Sequence, residues 1–480
     1  MKWPRPRPGR ATSMLAALGL AVTSLFAGSA NAATSQRTPQ HTYSQTAQYG
    51  YAHPYMGWSS WSMQAISNST INPKGSYSWL TEKHVLEQAD VMAAKLKQYG
   101  YDYINIDAGW WMKWDWTMEY DAYGRPAPDK VRFPDGIAYV ARYVHSKGLK
   151  LGIYVAVGLN KGAYGDGKTP VWGAPGCTTA DVVYSDLRTT NGWDSSYAMD
   201  FAKPCAQKYI NSIADEFASW GVDFIKIDGV GPGSQRTSGA QYDNRADIAA
   251  WDAAIAQSGR PMQIELSWAL DQNYVSDWQH LAASWRIEND VECYCSTVTS
   301  WNGISARFTD APKWVGDVGR GQGWMNLDSL DVANGRLDGL TDAERQTAVT
   351  LWSIESAPLY SGDDLTQMDS YGYALLTNRE VIAIDQSGRA AKPLSTSTDQ
   401  QVWYTKNANG SYTVALFNLG SASATVSVGW PDLGFSGTAA IRDVWRHTWT
   451  GTSGSGYSAT VPSHGSVLLK VYPHRSGLSS

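Results

Sequence analysis

The chain has 480 residues, 43% of them hydrophobic, and a formal net charge of −5 at pH 7. That length exceeds one ordinary domain and suits a large domain carrying a smaller appendage. The acidic balance excludes nucleic acid and anionic membrane surfaces as electrostatic partners.

The first 32 residues read as a signal peptide. Lys2, Arg5, Arg7 and Arg10 form a cationic start, Met14 to Ala27 an apolar stretch, and Ala30-Asn31-Ala32 a small-residue cleavage site. The apolar stretch is too short to span a bilayer, and no second candidate follows. Removing those four cations leaves the mature chain near −9. A secreted, extracellular protein is expected, and in an exported chain four cysteines point to disulfides. Cys177 with Cys205 and Cys293 with Cys295 are the expected pairs. Residues 33–50, rich in Ser, Thr and Gln, read as a flexible lead-in. The 23 Trp and 27 Tyr against 8 Phe fit sugar-facing surfaces, where an apolar ring with a polar handle is useful, or simply a Trp-rich core.

From residue 51 a cadence sets in. Val85, Leu86, Ala89, Met92, Ala93 and Leu96 recur at helical spacing, Gly100 ends the helix, and "YDYINID" follows as a strand. Ile210, Ile213, Ala214, Phe217 and Trp220 repeat the pattern before Gly221 and "VDFIKID"; "VARYVHSKG" leads likewise into "LKLGIYVAVG". Eight strands are expected, the others being "YMGWSSWS", "PMQIELSW", "ASWRIEND", "WMNLDSL" and "APLYSGDDL". Apolar strands alternating with helices call for a parallel sheet covered on both faces. Eight of them favour an α/β fold of the (β/α)8 barrel type over residues 51–388 rather than an open doubly wound sheet.

Beyond it, residues 389–480 change texture. "QVWYTKNANGSYTVALFNLG" reads as two strands around an Asn409-Gly410 turn, and later segments keep strands without helical period. A small antiparallel β-sandwich is expected, a packing appendage or a sugar-binding unit.

In such a barrel the chemistry lies at the C-terminal strand ends. There stand Asp107, Tyr154, Lys226, Asp228, Glu265, Ser267, Arg286, Asp290 and Asp328. A single Asp at a strand end is often only a turn former; the convergence is more informative. Lys226 and Asp228 are two apart and share a face. If that face is the lumen, the ammonium is expected to keep Asp228 ionised as a nucleophile, the bland alternative being an ion pair that plugs the barrel. Gly229, Gly231 and Gly233 are expected to let backbone approach a ligand. Asp290, four residues past Arg286, is expected to be less tightly paired and able to hold and donate a proton. One ionised and one protonated carboxyl are what glycosidic bond cleavage requires, about 5–5.5 Å apart in retaining enzymes. For the sugar's 2-hydroxyl, Glu265 and Ser267 compete, with a one-residue shift expected to decide which faces the lumen.

Other chemistries lack their signatures. The eight histidines show no H-x-H or H-E-x-x-H spacing, there is no G-x-S-x-G elbow, and "GVGPG" lacks phosphate-loop spacing. No metal or cofactor is expected.

"MGWSSWS", "INIDAGW", "KLGIYV", "FIKIDG", "RIEND", "WMNLDSL" and "APLYSGDDL" occur in the order found in family 27 glycoside hydrolases, the secreted α-galactosidases and their relatives, which the chain resembles from Tyr51 to Gln386. The resemblance implies a metal-independent retaining mechanism with Asp228 as nucleophile and Asp290 as acid/base. It implies sugar contacts from Lys226 and Arg286, an aromatic wall at Trp61, a pocket tyrosine at Tyr154, and in Asp328 the aspartate of the family's W-N-D-P-D motif. It also implies departures. The family's galactosidases carry two adjacent aspartates after strand two, for the 4- and 6-hydroxyls; here Asp107 is followed by Ala108. Losing a carboxylate built for a hydroxyl weakens discrimination for galactose. An α-galactosidase is the leading expectation, with an isomaltodextranase-like α-1,6-glucan hydrolase or a β-L-arabinopyranosidase as alternatives. The expected partner is an oligosaccharide or polysaccharide. A non-catalytic carbohydrate-binding barrel is the reading from another class, disfavoured because a lectin needs no buried nucleophile.

Overall fold

The computed structural model describes residues 52–115, 117–234 and 242–474. The expected signal peptide and lead-in, residues 1–32 and 33–50, lie outside the described residues.

Eight parallel strands form the first sheet: β1 (Met56–Ser59), β2 (Tyr103–Ile106), β3 (Lys150–Ala156), β4 (Phe224–Asp228), β5 (Gln263–Leu266), β6 (Ser284–Arg286), β7 (Trp324–Asn326) and β8 (Leu359–Ser361). Each falls inside one of the eight expected segments. The ladder runs β8-β1-β2-β3-β4-β5-β6-β7. Its ends meet just past the strands, where the Leu330 amide donates to the Tyr360 carbonyl at 2.8 Å. The result is the expected (β/α)8 barrel.

Helices return the chain between strands: α1 (Glu82–Val91), α2 (Ile137–Ser146), α3 (Pro204–Trp220), α4 (Arg245–Ser258), α5 (Val275–Leu281), α6 (Trp301–Trp314), α7 (Asp342–Ile354) and, after β8, α8 (Arg379–Asp385). In α3 a proline occupies the first turn, Ile210, Ile213, Ala214 and Phe217 are buried on one face, and Gly221 at φ +90° caps the end before β4. A side chain at that φ would be strained, which is why glycine marks this helix stop in the sequence.

In-register pairing puts Tyr154, Lys226, Glu265 and Ser284 side by side across β3 to β6. With the side-chain period of two, the lumen-facing set is then fixed along each strand. Below them the rings of Tyr55, Tyr103, Phe224 and Tyr360 cluster and close the floor of the barrel. Many of the tryptophans are structural: Trp58, Trp110, Trp278, Trp285, Trp324, Trp352, Trp403 and Trp430 are fully buried. Among the described residues no helix is long and apolar enough to cross a membrane.

The C-terminal unit is antiparallel. Lys392–Pro393, β9 (Gln400–Lys406), β10 (Tyr412–Asn418), β12 (Ala439–Asp443), β13 (Thr448–Ser453) and β15 (Ser466–Pro473) form one sheet, with β11 (Ala424–Gly429) and β14 (Gly456–Val461) pairing over it. Val414, Leu416, Ile441, Leu469 and Val471 meet Val426, Val428 and Val461 in the core between them. The outer face packs on the barrel, with Phe308 of α6 edge-on to Phe417 at 4.8 Å and Trp403 at 5.7 Å. Both expected disulfides are formed, Cys177–Cys205 and Cys293–Cys295.

Candidate active site

The strand ends deliver a connected set of charges. Asp228, the last residue of β4, accepts from the Tyr154 hydroxyl on β3 and from the Gly229 amide, both at 2.9 Å, so both carboxylate oxygens are held. Tyr154 is itself steadied by stacking on Trp111 with ring centroids 5.8 Å apart.

Lys226 shares the lumen face with Asp228, as its spacing requires, but its ion pair reaches across β3 instead. Its ammonium donates to Asp107 at 2.8 Å, with side chains 8% and 2% exposed. Burial works against that charge, but Asp107, helped by Asp328 and Asp228, outweighs it and holds the ammonium above its usual range. Asp107 is further fixed by Ala108, whose amide donates to Oδ1 at 2.7 Å.

Arg286, at the end of β6 and 1% exposed, is the hub of the opposite wall. It donates to Asp290 at 2.6 Å, lies 2.9 Å from Asp328 and donates to Ser267 Oγ at 3.4 Å. Asp328, at φ +81°, also accepts from the Val291 amide at 2.9 Å and from Tyr360 at 3.0 Å. It ties the arginine to the loop that carries Asp290. The other oxygen of Asp290 accepts from the Tyr294 hydroxyl. Tyr294 in turn accepts from Trp61 Nε1 at 3.3 Å, and Trp61 stacks on Tyr77 at 5.0 Å.

These contacts reverse two expectations about protons. Burial, then the charge of Asp290, raises the Asp228 carboxyl above its ordinary value despite the lowering effects of Lys226 and the Tyr154 hydrogen bond. Burial would raise Asp290 too, but the charge of Arg286 and the hydrogen bonds from Tyr294 and Arg286 hold it below the usual range. The physical reason is local: Lys226 is committed to Asp107, and the four-residue step from Arg286 lands Asp290 on the guanidinium rather than away from it. Burial and the Asp290 charge thus act to keep a proton on Asp228, while Arg286 and Tyr294 act to keep one off Asp290.

Glu265 and Ser267 are also resolved differently from expectation. Two residues apart, both face the lumen, and depth separates them. Glu265 lies low, hydrogen-bonded by Tyr55 and Asn326, with burial pushing its carboxyl to about 7. Ser267 lies higher, at Arg286. The three glycines after β4 likewise serve the protein's own packing. A Cβ on Gly231 would lie 2.0 Å from the Tyr242 carbonyl oxygen, and one on Gly233 2.4 Å from that of Ala269.

Tyr294 and Glu292 are site residues that strand-end reasoning passed over, because they lie on the loop beyond β6. The Cys-Tyr-Cys spacing was the available signal. Among the described residues, carboxylate oxygens of Asp290, Glu292 and Asp328 lie within 4.8 Å of one another, close enough to share a cation. Arg286 already places a guanidinium against two of the three.

A family model described as Alpha galactosidase A matches residues 53–197 and 182–387, and one described as Alpha galactosidase C-terminal beta sandwich domain matches residues 397–471. The chain is similar to α-galactosidase of Coffea arabica, 30% identical over 425 residues covering 88% of this chain and 94% of that one. It is also similar to the crystal structure of a GH27 β-L-arabinopyranosidase from Geobacillus stearothermophilus, with TM-score 0.78, 28% identity, and coverage of 89% and 98%. The chain belongs to glycoside hydrolase family 27. This family 27 enzyme is thus a glycoside hydrolase. A further relative, the α-galactosidase of Cyamopsis tetragonoloba, is 28% identical over 433 residues, 88% of this chain and 86% of its own.

Proposed function

We propose that this glycoside hydrolase removes terminal α-linked galactose with retention of configuration, outside the cell, through a glycosyl ester on Asp228. The observation that carries the reading is the relation of two carboxyls. Asp228 is half-buried with both oxygens fixed by donors, and the charge of Asp290 reaches it.

Asp228 attacks the anomeric carbon while Asp290 gives its proton to the glycosidic oxygen, and the alcohol departs. Asp290, now a base, takes a proton from water, whose oxygen attacks the same carbon and frees Asp228. The Asp228–Asp290 pair titrates as a unit. Moving the one proton to Asp290 removes the negative charge that raises Asp228, so the nucleophile ionises as the acid is loaded. Bound substrate favours that form, since only there does the glycosidic oxygen meet a donor. Lys226, Asp107 and Arg286 would orient hydroxyls, Trp61 would wall the pocket, and Asp328 would act as a positioning residue for Arg286.

A second reading is β-L-arabinopyranoside hydrolysis. It is favoured by Ala108, which leaves Asp107 without the neighbouring carboxylate, and by the likeness to the Geobacillus arabinopyranosidase. Arabinopyranose is galactose without the hydroxymethyl group that a second carboxylate would hold.

Aryl α-galactoside, β-L-arabinopyranoside and α-glucoside, with dextran beside them, should rank galactoside first. Proton NMR should show the α anomer forming first, and a 2-fluoro glycosyl inhibitor should label the Asp228 peptide. Inverted product, or a label elsewhere with Asp228→Asn fully active, would overturn the mechanism; arabinopyranoside ranking first would replace the substrate.

A further inference from the structure

At the end of the barrel away from the strand-end chemistry, barrel and sandwich leave a cleft of about 610 Å³. The barrel side contributes Arg320, just ahead of β7, and Arg389, just after α8; the sandwich side contributes the turn 407–411 with Lys470 and Tyr472 of β15. Among the described residues three cations line it and no acidic residue does, in a chain with an excess of acids.

Lys470 is the most telling of the three. Its ammonium donates to Thr413 Oγ1 at 2.7 Å, and burial lowers it to about 8. The one carboxylate whose charge works the other way is Glu380, which is already engaged by Arg442 and His447 at 2.6 and 2.7 Å. A partly desolvated amine without its own counter-charge is stabilised by an incoming anion. Arg320 and Arg389 are exposed, and their planar donor forks match carboxylates.

Register then extends the surface. Lys470 pairs with Arg442, and Arg442 with Trp449, so the three share one face of the sheet; Tyr472, two residues on from Lys470, joins them. Trp449 is 58% exposed, and its ring lies 5.5 Å from that of Tyr472 at the cleft's edge. An exposed aromatic pair beside a cationic cleft suits a sugar ring that carries negative charge.

We infer that this cleft binds a segment of an anionic polysaccharide, its carboxylates on Arg320, Arg389 and Lys470 and a neighbouring sugar on Trp449 and Tyr472. The site would hold the enzyme on such a polymer while the catalytic rim, at the other end of the barrel, acts on terminal sugars. It does not depend on whether those sugars are galactose or arabinopyranose.

The full-length mature enzyme is titrated with polygalacturonate, a sulfated galactan and a neutral galactan. Polygalacturonate should bind, more weakly as salt rises. Arg320→Gln/Arg389→Gln and Trp449→Ala should each weaken it about tenfold or more, with hydrolysis of a small aryl glycoside unchanged as proof of folding. Preference for the sulfated polymer, lost in the same variants, would keep the anionic glycan and move its charge to sulfate esters. Equal retention of the neutral polymer, unchanged affinity in both variants, or no binding of either polyanion would overturn the site.

Discussion

Tyr294, at the tip of the loop closed by Cys293–Cys295, donates its phenolic hydrogen to Asp290 while Arg286 grips the other carboxylate oxygen. The acid of the proposed pair thus depends on a residue that is 44% exposed and anchored by a two-residue disulfide step. Tyr294→Phe removes a hydrogen bond that favours the ionised form, so the Asp290 pKa should rise. Because Asp290 is the more acidic member of the pair, the acid limb of kcat/KM on an aryl glycoside should move up by about one unit, the worth of one hydrogen bond. Cys293→Ser/Cys295→Ser, which keeps the tyrosine but frees its loop, should give a smaller shift in the same direction. A limb that stays put or moves down would remove Tyr294 from the control of Asp290.

The Lys226–Asp107 pair invites a double-mutant cycle. Both side chains are buried, so Lys226→Met alone leaves a carboxylate in the lumen without its ammonium, costing about 3–5 kcal/mol of stability. Lys226→Met/Asp107→Asn removes both charges and should cost clearly less than the two single changes summed. Denaturant melts of the four proteins measure this; strict additivity would mean the pair is not coupled.

Ala108 offers a direct test of sugar choice. Its amide holds Asp107, and it follows Asp107 directly, where the galactosidases the sequence resembles carry a second aspartate. Ala108→Asp should raise the kcat/KM ratio of α-galactoside over β-L-arabinopyranoside by about tenfold or more, as expected when a site gains a group built for a hydroxyl. An unchanged ratio would locate sugar discrimination elsewhere.

Much of this architecture was legible because it depends on local rules. "FIKIDG" ends an apolar strand on a charged pair at period two, and β4 with a shared lumen face follows. Gly100 and Gly221 mark helix ends because only glycine takes the left-handed cap without strain. What could not be read was decided by distance in space. Lys226 chooses Asp107 over Asp228 because β3 sets Asp107 within reach, a relation between residues 119 positions apart. The proton order of Asp228 and Asp290 follows from where one guanidinium lies. The glycines after β4 answer to Tyr242 and Ala269, which come near only once the chain is folded.

Glu292 carries the last prediction. It is 5% exposed beneath the rim; Oε1 accepts from Ser62 at 2.7 Å, and Oε2 has no hydrogen-bond partner among the described residues. Burial first, then the charges of Asp328 and Asp290, push its carboxyl to about 8, against an ordinary value of 4.5. The folded chain therefore keeps a proton that the unfolded chain releases at lower pH. Stability from this group is complete below about pH 4.5 and declines as pH rises toward 8. Glu292→Gln keeps the shape and the neutral form at every pH. Its melting temperature should match the parent on the acid side and exceed it increasingly up to about pH 8, where the gap should level off. Glu265, raised to about 7, is present in both proteins and cancels in the comparison, whereas Asp331, raised in part by the charge of Glu292, widens the gap in the same direction. A gap that does not change with pH would show that Glu292 takes no part in the titration.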